Sequence, residues 1–275
     1  MTADQYPDGI HDDDPAFDPT ISHQARYYNY LLGGKDHYAA DRAFARKVME
    51  VYPDMPAMAR ANRAFLGRAV RYLAGEAGIS QFLDIGAGLP APGSTHEVAQ
   101  QARPGSRVVY ADLDPVVLAH SRAFMTGQEP GAVAYIDADL RQPGPVLARA
   151  AETLDFTRPV GLLLIAVLHV IGDEDGPFSI VATLMDALPS GSYLAVTHWA
   201  VNPANEHGED TLKGLVREQS RQQYAPRPRE EITRFFSGLE LLDPGLVPLQ
   251  YWRPDPGDQP ADSSLLWAAG VARKP

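Results

Sequence analysis

Gln81-Phe82-Leu83-Asp84-Ile85-Gly86-Ala87-Gly88 is the stretch on which the reading of the whole chain turns. Phe82, Leu83 and Ile85 make a short apolar strand, Asp84 stands near its end, and glycines follow at 86 and 88. A strand that runs into a Gly-x-Gly turn lets backbone approach a ligand where a side chain would collide. In a doubly wound sheet that approach happens at the carboxyl ends of the strands, beside the switch point. A second acid follows: the apolar run Arg107 to Ala111 ends in Asp112, where a carboxylate can accept both hydroxyls of a ribose. A lone glycine pair usually marks an ordinary turn. Strand, acid, glycine pair, helix, strand and second acid in this order point instead to a nucleoside site.

Two kinds of nucleoside fit the glycines. Gly86, Gly88 and Ala91 satisfy the spacing of a dinucleotide fingerprint, which would make an NAD-dependent oxidoreductase. That fingerprint starts its helix inside the glycine turn, with a pyrophosphate on the helix N-terminus. Here Pro90, Pro92 and Gly93 prolong the loop, and the helix starts at Ser94, where Ser94-Thr95-His96-Glu97 reads as a capping box. The acid two residues before the first glycine suits an adenosine ligand without phosphate. Asp84-x-Gly86-x-Gly88 is similar to the first motif of the class I S-adenosylmethionine-dependent methyltransferases.

Composition narrows the classes. The chain has 275 residues, 45% hydrophobic and 21% charged, enough for one two-sided α/β core with an N-terminal addition. Its net charge of −11 argues against nonspecific binding to nucleic acid or anionic membranes. With no cysteine, a disulfide, a Cys-rich zinc site and a thiolate nucleophile are excluded. No histidine pair or acidic cluster has metal-ligand spacing. The longest apolar run, Val160 to Ile171, is too short to span a bilayer, and the acidic N-terminus lacks the regions of a signal peptide. A cytoplasmic protein is the expectation.

Taken in order, residues 1–19 read as an acidic mobile tail with Asp12-Asp13-Asp14, and residues 20–76 as a helical cap or lid. The cap holds helices near 22–32, 39–51 and 56–74, with Ser22 as N-cap of the first and Gly33-Gly34 as its stop. Residues 77–275 then alternate strand and helix. Strands are expected at 81–86, 107–112, 132–137, 160–167 and 192–198, with helices at 94–102, after Pro115, and at 143–152 and 178–187. Helices near 209–223 and 228–236 precede two last strands near 245–252 and 264–272, expected as an antiparallel pair at one edge.

This α/β pattern of seven strands, mostly parallel with a terminal antiparallel pair and an N-terminal helical extension, resembles the Rossmann-like class I methyltransferase fold. More narrowly, four segments resemble a bacterial family of S-adenosylmethionine methyltransferases of unassigned substrate. They are Tyr30-Leu31-Leu32-Gly33-Gly34-Lys35-Asp36, Phe82-Leu83-Asp84-Ile85-Gly86-Ala87-Gly88-Leu89-Pro90, Thr95-His96-Glu97-Val98-Ala99 and Tyr135-Ile136-Asp137-Ala138-Asp139-Leu140-Arg141. One departure from the broader pattern is Pro90, where many class I members carry a third glycine.

The resemblance implies S-adenosylmethionine as cofactor. Gly86, Ala87 and Gly88 would present backbone to its methionine and ribose parts, and Asp84 would meet the ammonium. Asp112 would accept from the ribose, Leu113 would lie against the adenine, and Asp139 with the Leu140 amide would read the adenine edge. Ala166, at the end of strand 4, completes the set. Three acids and bases have plainer alternatives: Asp84 as a cap for loop amides, Asp114, the rival of Asp112, as a cap for the next helix, and Lys35 as a cap for the preceding helix end. Lys35, with Arg26 one helix face away, is the expected partner of the cofactor carboxylate, and one of Tyr27, Tyr28, Tyr30 and Tyr38 the expected ring near the sulfonium.

For chemistry, Leu168-His169 followed by Asp173-Glu174 is similar to a segment of small-molecule O-methyltransferases in which the histidine is the general base, although the aromatic residue usual after it is absent. The plainer alternative for His169 is a histidine hydrogen-bonded to backbone at a strand end. His198, ending strand 5 before Trp199, is the second choice and would line the acceptor pocket. The Asn/Asp-Pro-Pro-aromatic motif of amide and adenine N-methyltransferases is missing. The expectation is a methyltransferase acting at oxygen or nitrogen of a small molecule. The alternatives are the NAD-dependent oxidoreductase and a non-catalytic cofactor-binding sensor or partner protein.

Overall fold

Alternation within β1 (Gln81–Ile85) organises the molecule. All five residues are buried, and Phe82 packs into a core on one side of the sheet while Leu83 and Ile85 pack into a core on the other. β2 (Arg107–Asp112) and β4 (Gly161–Ile165) flank β1 in parallel, and β3 (Val133–Asp137) and β5 (Tyr193–Trp199) extend the sheet outward, also in parallel. The computed structural model describes residues 18–124, 132–220, 223–256 and 267–275.

The remaining strands are β6 (Glu240–Leu241), β7 (Val247–Pro248) and β8 (Trp267–Arg273). The order is β3-β2-β1-β4-β5-β8-β6, with β7 also on β8. β8 runs antiparallel to β5, and β6 and β7 run antiparallel to β8. The strand order therefore reverses between β1 and β4, the switch point at which doubly wound sheets bind ligands. Eight strands replace the expected seven because the outer edge is built from two stubs: Gly245 turns the chain between them with φ 86°, and 249–251 forms a single 3-10 turn instead of strand. That turn is held by Arg68, whose guanidinium donates to the carbonyls of Leu249 and Trp252. The expected mobile tail and part of the last strand lie outside the described residues.

The helices are α1 (Gln24–Leu31), α2 (Ala39–Val51), α3 (Met55–Gly75), α4 (Thr95–Ala102), α5 (Pro115–Phe124), α6 (Pro143–Ala150), α7 (Pro177–Asp186), α8 (Glu206–Gln219) and α9 (Arg229–Thr233). α3 lays Phe65, Ala69, Val70 and Leu73 on the Phe82 face of the sheet, the i, i+4 spacing of an apolar stripe, and α2 joins that core through Phe44, Ala45 and Val48. α6 and α7 cover the other face with Val146, Ile180, Val181 and Leu184. α4 begins with the expected capping box of Ser94 and Glu97.

α1 starts at Gln24 with His23 as its N-cap, two residues later than Ser22. It ends as a Schellman motif: Gly33 takes φ 81°, and the Gly34 amide donates to the Asn29 carbonyl. Among the described residues no helix is long and apolar enough to cross a membrane.

Candidate active site

The carboxyl ends of the four central parallel strands meet at one edge of the sheet, and a cavity of about 500 Å3 opens there. β1 contributes Asp84 and then Gly86, Ala87 and Gly88; β2 contributes Asp112 and Leu113; β3 is followed by Asp139 and Leu140; β4 is followed by Ala166. Nine of the ten residues expected to hold the cofactor therefore line one cavity. Lys35 does not: it is exposed and stands apart from the lining. Two cations do line it: Arg141, and Arg63 of α3, whose guanidinium also donates to the carbonyls of Pro92 and Gly93 in the long loop before α4.

The glycine loop has the backbone conformation its sequence requires. Gly86 takes φ 75° and Gly88 φ 66°, and a Cβ at Gly86 would come within 2.6 Å of Val167. The Gly86 amide is tied to the Ala111 carbonyl at 2.8 Å, so the loop is anchored to β2. Asp84 is 5% exposed and accepts from the Thr95 hydroxyl at 2.6 Å. Burial pushes its carboxyl up to about 6, against the opposing pull of Thr95 and Arg63.

Asp112 accepts from the amides of Gly88 (2.8 Å), Leu113 (2.8 Å) and Asp114 (3.0 Å), so it shapes the loop as well as facing the cavity. Burial raises its pKa above the ordinary range despite those amides. Leu113 is 45% exposed, an apolar surface left uncovered on the cavity wall. Asp139 is paired with Arg141, which also lines the cavity.

Asp114 takes the plainer of its two roles. It is buried, caps α5 through the Val116 amide at 2.7 Å, and pairs with His23 at 2.6 Å and Arg26 at 3.5 Å. Arg26 is thus committed to Asp114 and, at 3.8 Å, to Asp41, away from the cavity lining. Through this cluster the start of α1 is fastened beyond β2. Its next residue, Gln24, reaches the far side of β1 and donates to the Ala166 carbonyl at 2.7 Å. α1 accordingly spans the glycine loop as a roof, and His23, Gln24, Ala25 and Tyr28 line the cavity from above. Of the four tyrosines considered, Tyr28 is the one on this wall, its hydroxyl donating to the Ala59 carbonyl and accepting from Asn62.

Ala166 is a strained point. It is a non-glycine residue at φ 55°, which ends β4 before Val167, where the strand was expected to finish. Its amide donates to Thr197 Oγ1 at 2.8 Å and its carbonyl accepts from Gln24, so the peptide is pinned from both sides.

The two histidines expected to do chemistry both sit behind this point. His198 is fully buried and does not line the cavity. Arg227 donates to its Nε2 at 3.0 Å, so Nδ1 carries the proton and donates to the Trp199 carbonyl at 2.8 Å. Both ring nitrogens of His198 are thus engaged by partners inside the fold. His169 is buried and lines a side chamber of about 40 Å3, which meets the main cavity at Gln24, Val170 and Gln223. Burial and the charge of Arg227 lower its pKa to about 3, so the ring is neutral. A wider hollow of about 630 Å3 on the side of α8 shares only Gln223 with the main cavity and contains none of the sequence-derived site residues.

Arg63, Gln24, Tyr28, Asn62 and Gln223 also line the main cavity, and of these only Tyr28 carried a sequence signal. Among the described residues no group of three or more acids and histidines is placed to hold a metal ion.

A family model described as S-adenosyl methyltransferase matches residues 11–275. The chain is similar to a solved DUF574-family protein from Streptomyces avermitilis MA-4680, with 40% identity, 93% of this chain and 98% of that chain covered, and a TM-score of 0.87. It is also similar to a solved candidate methyltransferase from Thermobifida fusca YX, with 39% identity, 96% and 99% covered, and a TM-score of 0.85. No curated protein matches the chain.

Proposed function

We propose that this chain, which belongs to the S-adenosyl methyltransferase family, methylates a small molecule at oxygen or nitrogen. Its cofactor is S-adenosylmethionine and its fold is the class I methyltransferase fold. The observation that supports the proposed site is the convergence of Asp84, the Gly86–Gly88 loop, Asp112, Asp139 and Ala166 on one cavity.

The residues present fit the cofactor. The loop keeps its course along the cavity only with glycine at 86, where a Cβ would collide with Val167, while Gly88 leaves its side open. In this reading Asp84 holds the methionine ammonium and Arg63 the carboxylate, the two opposite charges a zwitterion needs. Asp112 accepts from the ribose, Leu113 covers the adenine face, and Asp139 with the Leu140 amide reads its edge. When bound, the cofactor supplies an electrophilic methyl group on a sulfonium. The chain's contribution is to hold the acceptor in line with that group and to exclude water. The acceptor's approach is from the Ala166–Ile171 side, where the lining turns apolar through Val167, Val170 and Ile171.

Calorimetric titration tests this directly. S-adenosylmethionine and S-adenosylhomocysteine are expected to bind and NAD is not. Arg63→Ala should weaken S-adenosylhomocysteine by roughly tenfold or more, the worth of one charge-assisted hydrogen bond, while Lys35→Ala leaves it unchanged. Tight NAD binding without a response to the other two would overturn the reading. A loss confined to Lys35→Ala would return the carboxylate to that residue.

The segment 20–76 enters the proposal as the part that covers the site, with α1 as its moving edge. Hydrogen exchange across residues 22–40 is expected to slow when S-adenosylhomocysteine binds. The fastening is pH-dependent in a defined sense. Burial lowers the His23 pKa, but the hydrogen bond and charge of Asp114 more than reverse this, so it ends above 6.5. The contribution of this pair is complete below the ordinary histidine range and is lost as pH rises through the raised value. Exchange in α1 of the unliganded protein should therefore accelerate on the alkaline side more than in α7. Unchanged exchange with ligand and with pH would make the segment permanent scaffold.

A further inference from the structure

The Gln24 amide settles the state of the histidine behind Ala166. Its Nε2 lies 2.7 Å from the Ala166 carbonyl and 3.2 Å from His169 Nε2. The carbonyl can only accept, which identifies the atom as the amide nitrogen, and its second hydrogen is directed to the imidazole. His169 Nε2 is therefore an acceptor, and the ring proton is on Nδ1. Nδ1 is buried and has no hydrogen-bond partner among the described residues. The groups that act electrostatically on the ring are Arg227, which precedes α9, and His198 on β5.

We propose that Gln24 is a positioning residue that masks the His169 lone pair while α1 is seated and so holds the ring as the Nδ1–H tautomer, a hydrogen-bond donor rather than a base. The inference rests on the methyltransferase reading for its meaning. It separates two roles that a histidine at this place can have. As a general base, His169 needs a free lone pair turned to the acceptor. With α1 seated, one nitrogen is protonated and the other is occupied. Base catalysis then requires Gln24 to turn away, exposing Nε2 to the main cavity that Gln24 itself lines. The nearby Arg227 guanidinium opposes an imidazolium at this position, which favours the donor role further.

Nitrogen-15 NMR of the histidine-labelled full chain reads this without any acceptor, with His169→Gln identifying the resonances. The parent protein should show His169 as the Nδ1–H tautomer, uncharged through pH 5. Gln24→Met keeps the length of the side chain and removes the amide. In that variant the ring should redistribute toward Nε2–H and its pKa should rise by more than about one unit, because Nε2 gains access to water. Gln24→Glu supplies an acceptor at the same place and should drive the ring fully to Nε2–H. An Nε2–H ring in the parent, or the same tautomer and titration in all three proteins, would overturn the proposal. The parent's response to S-adenosylhomocysteine is a separate measurement, so failure of the tautomer and failure of the cofactor reading are told apart.

Discussion

Asp84→Asn is expected to make the cofactor-free protein more stable and, at the same time, unable to hold S-adenosylhomocysteine. Both effects come from one carboxylate. Its pKa rises from 3.8 to about 6 on folding because it is buried, and Thr95 and Arg63 offset only part of the desolvation. A carboxyl with a raised folded pKa favours the fold in its protonated form. Stability is therefore lost as pH climbs from the unfolded value of 3.8 to about 6, and stays lost above it. At about 1.36 kcal/mol per pH unit this amounts to no more than about 3 kcal/mol at neutral pH.

An amide has no charge to bury and its oxygen still accepts from Thr95. The Tm of Asp84→Asn should exceed that of the parent by roughly 5 °C at pH 7, with the gap closing below pH 4. In the proposed site the parent's charge is the partner of the ligand's ammonium. Removing it should raise the dissociation constant by about two orders of magnitude. In the parent, affinity should fall as pH drops through about 6. A variant less stable than the parent at neutral pH, with affinity retained, would mean that Asp84 is only a loop cap.

The second large effect belongs to Asp112. From sequence it is a ligand acceptor at a strand end, and Asp112→Ala should cost on the order of 1.5–3 kcal/mol of cofactor affinity through the lost charge-assisted pair. The structure adds a second cost. The same carboxylate receives the amides of Gly88, Leu113 and Asp114, so its removal also unties Gly88 from the end of β2 and leaves three amides without their acceptor. We expect a further loss of about 1–2 kcal/mol in folding stability, read by chemical denaturation. Asp114→Ala is the discriminating partner. It removes the α5 cap and releases His23 and Arg26, so it should destabilise the protein and loosen α1 while leaving the ribose acceptor in place. If Asp114→Ala abolishes binding and Asp112→Ala does not, the two acids have been assigned in the wrong order.

The two acids show how far local pattern reaches. β1, its glycine turn, and Asp112 and Asp139 at the ends of β2 and β3 are all legible because a buried parallel strand leaves a local signature. A run of apolar residues stops where the chain leaves the sheet, and a polar side chain there has to face the edge. The capping box at Ser94 and Glu97 is local in the same way, and α4 begins where it says. Strand 4 ran shorter than its apolar run because Ala166 turns into the left-handed region, and nothing in Ile165-Ala166-Val167 announces that turn.

The sequence by itself thus determined the sheet, the cofactor loop and the acids around it, since each follows from neighbours a few residues apart. Only the tertiary structure decided which side chains complete the site. Helical periodicity tells that α1 and α3 bury one face, but not which strand edge that face meets. Gln24 touches a histidine 145 positions away, and Arg63, which in sequence reads as any solvated arginine on a long helix, faces the same cavity. Lys35 carries the local signal instead, because a cation beside glycines and tyrosines looks like a ligand clamp. The two cations differ only in where the packing of α1 and α3 on the sheet carries them. The same holds for His169 and His198, alike at the ends of adjacent strands. Arg227, brought in from beyond α8, takes the lone pair of one, and the Gln24 amide takes that of the other. Whether a buried imidazole is a base, a donor or a strut depends on partners distant in the chain, so it becomes visible only when the chain has folded.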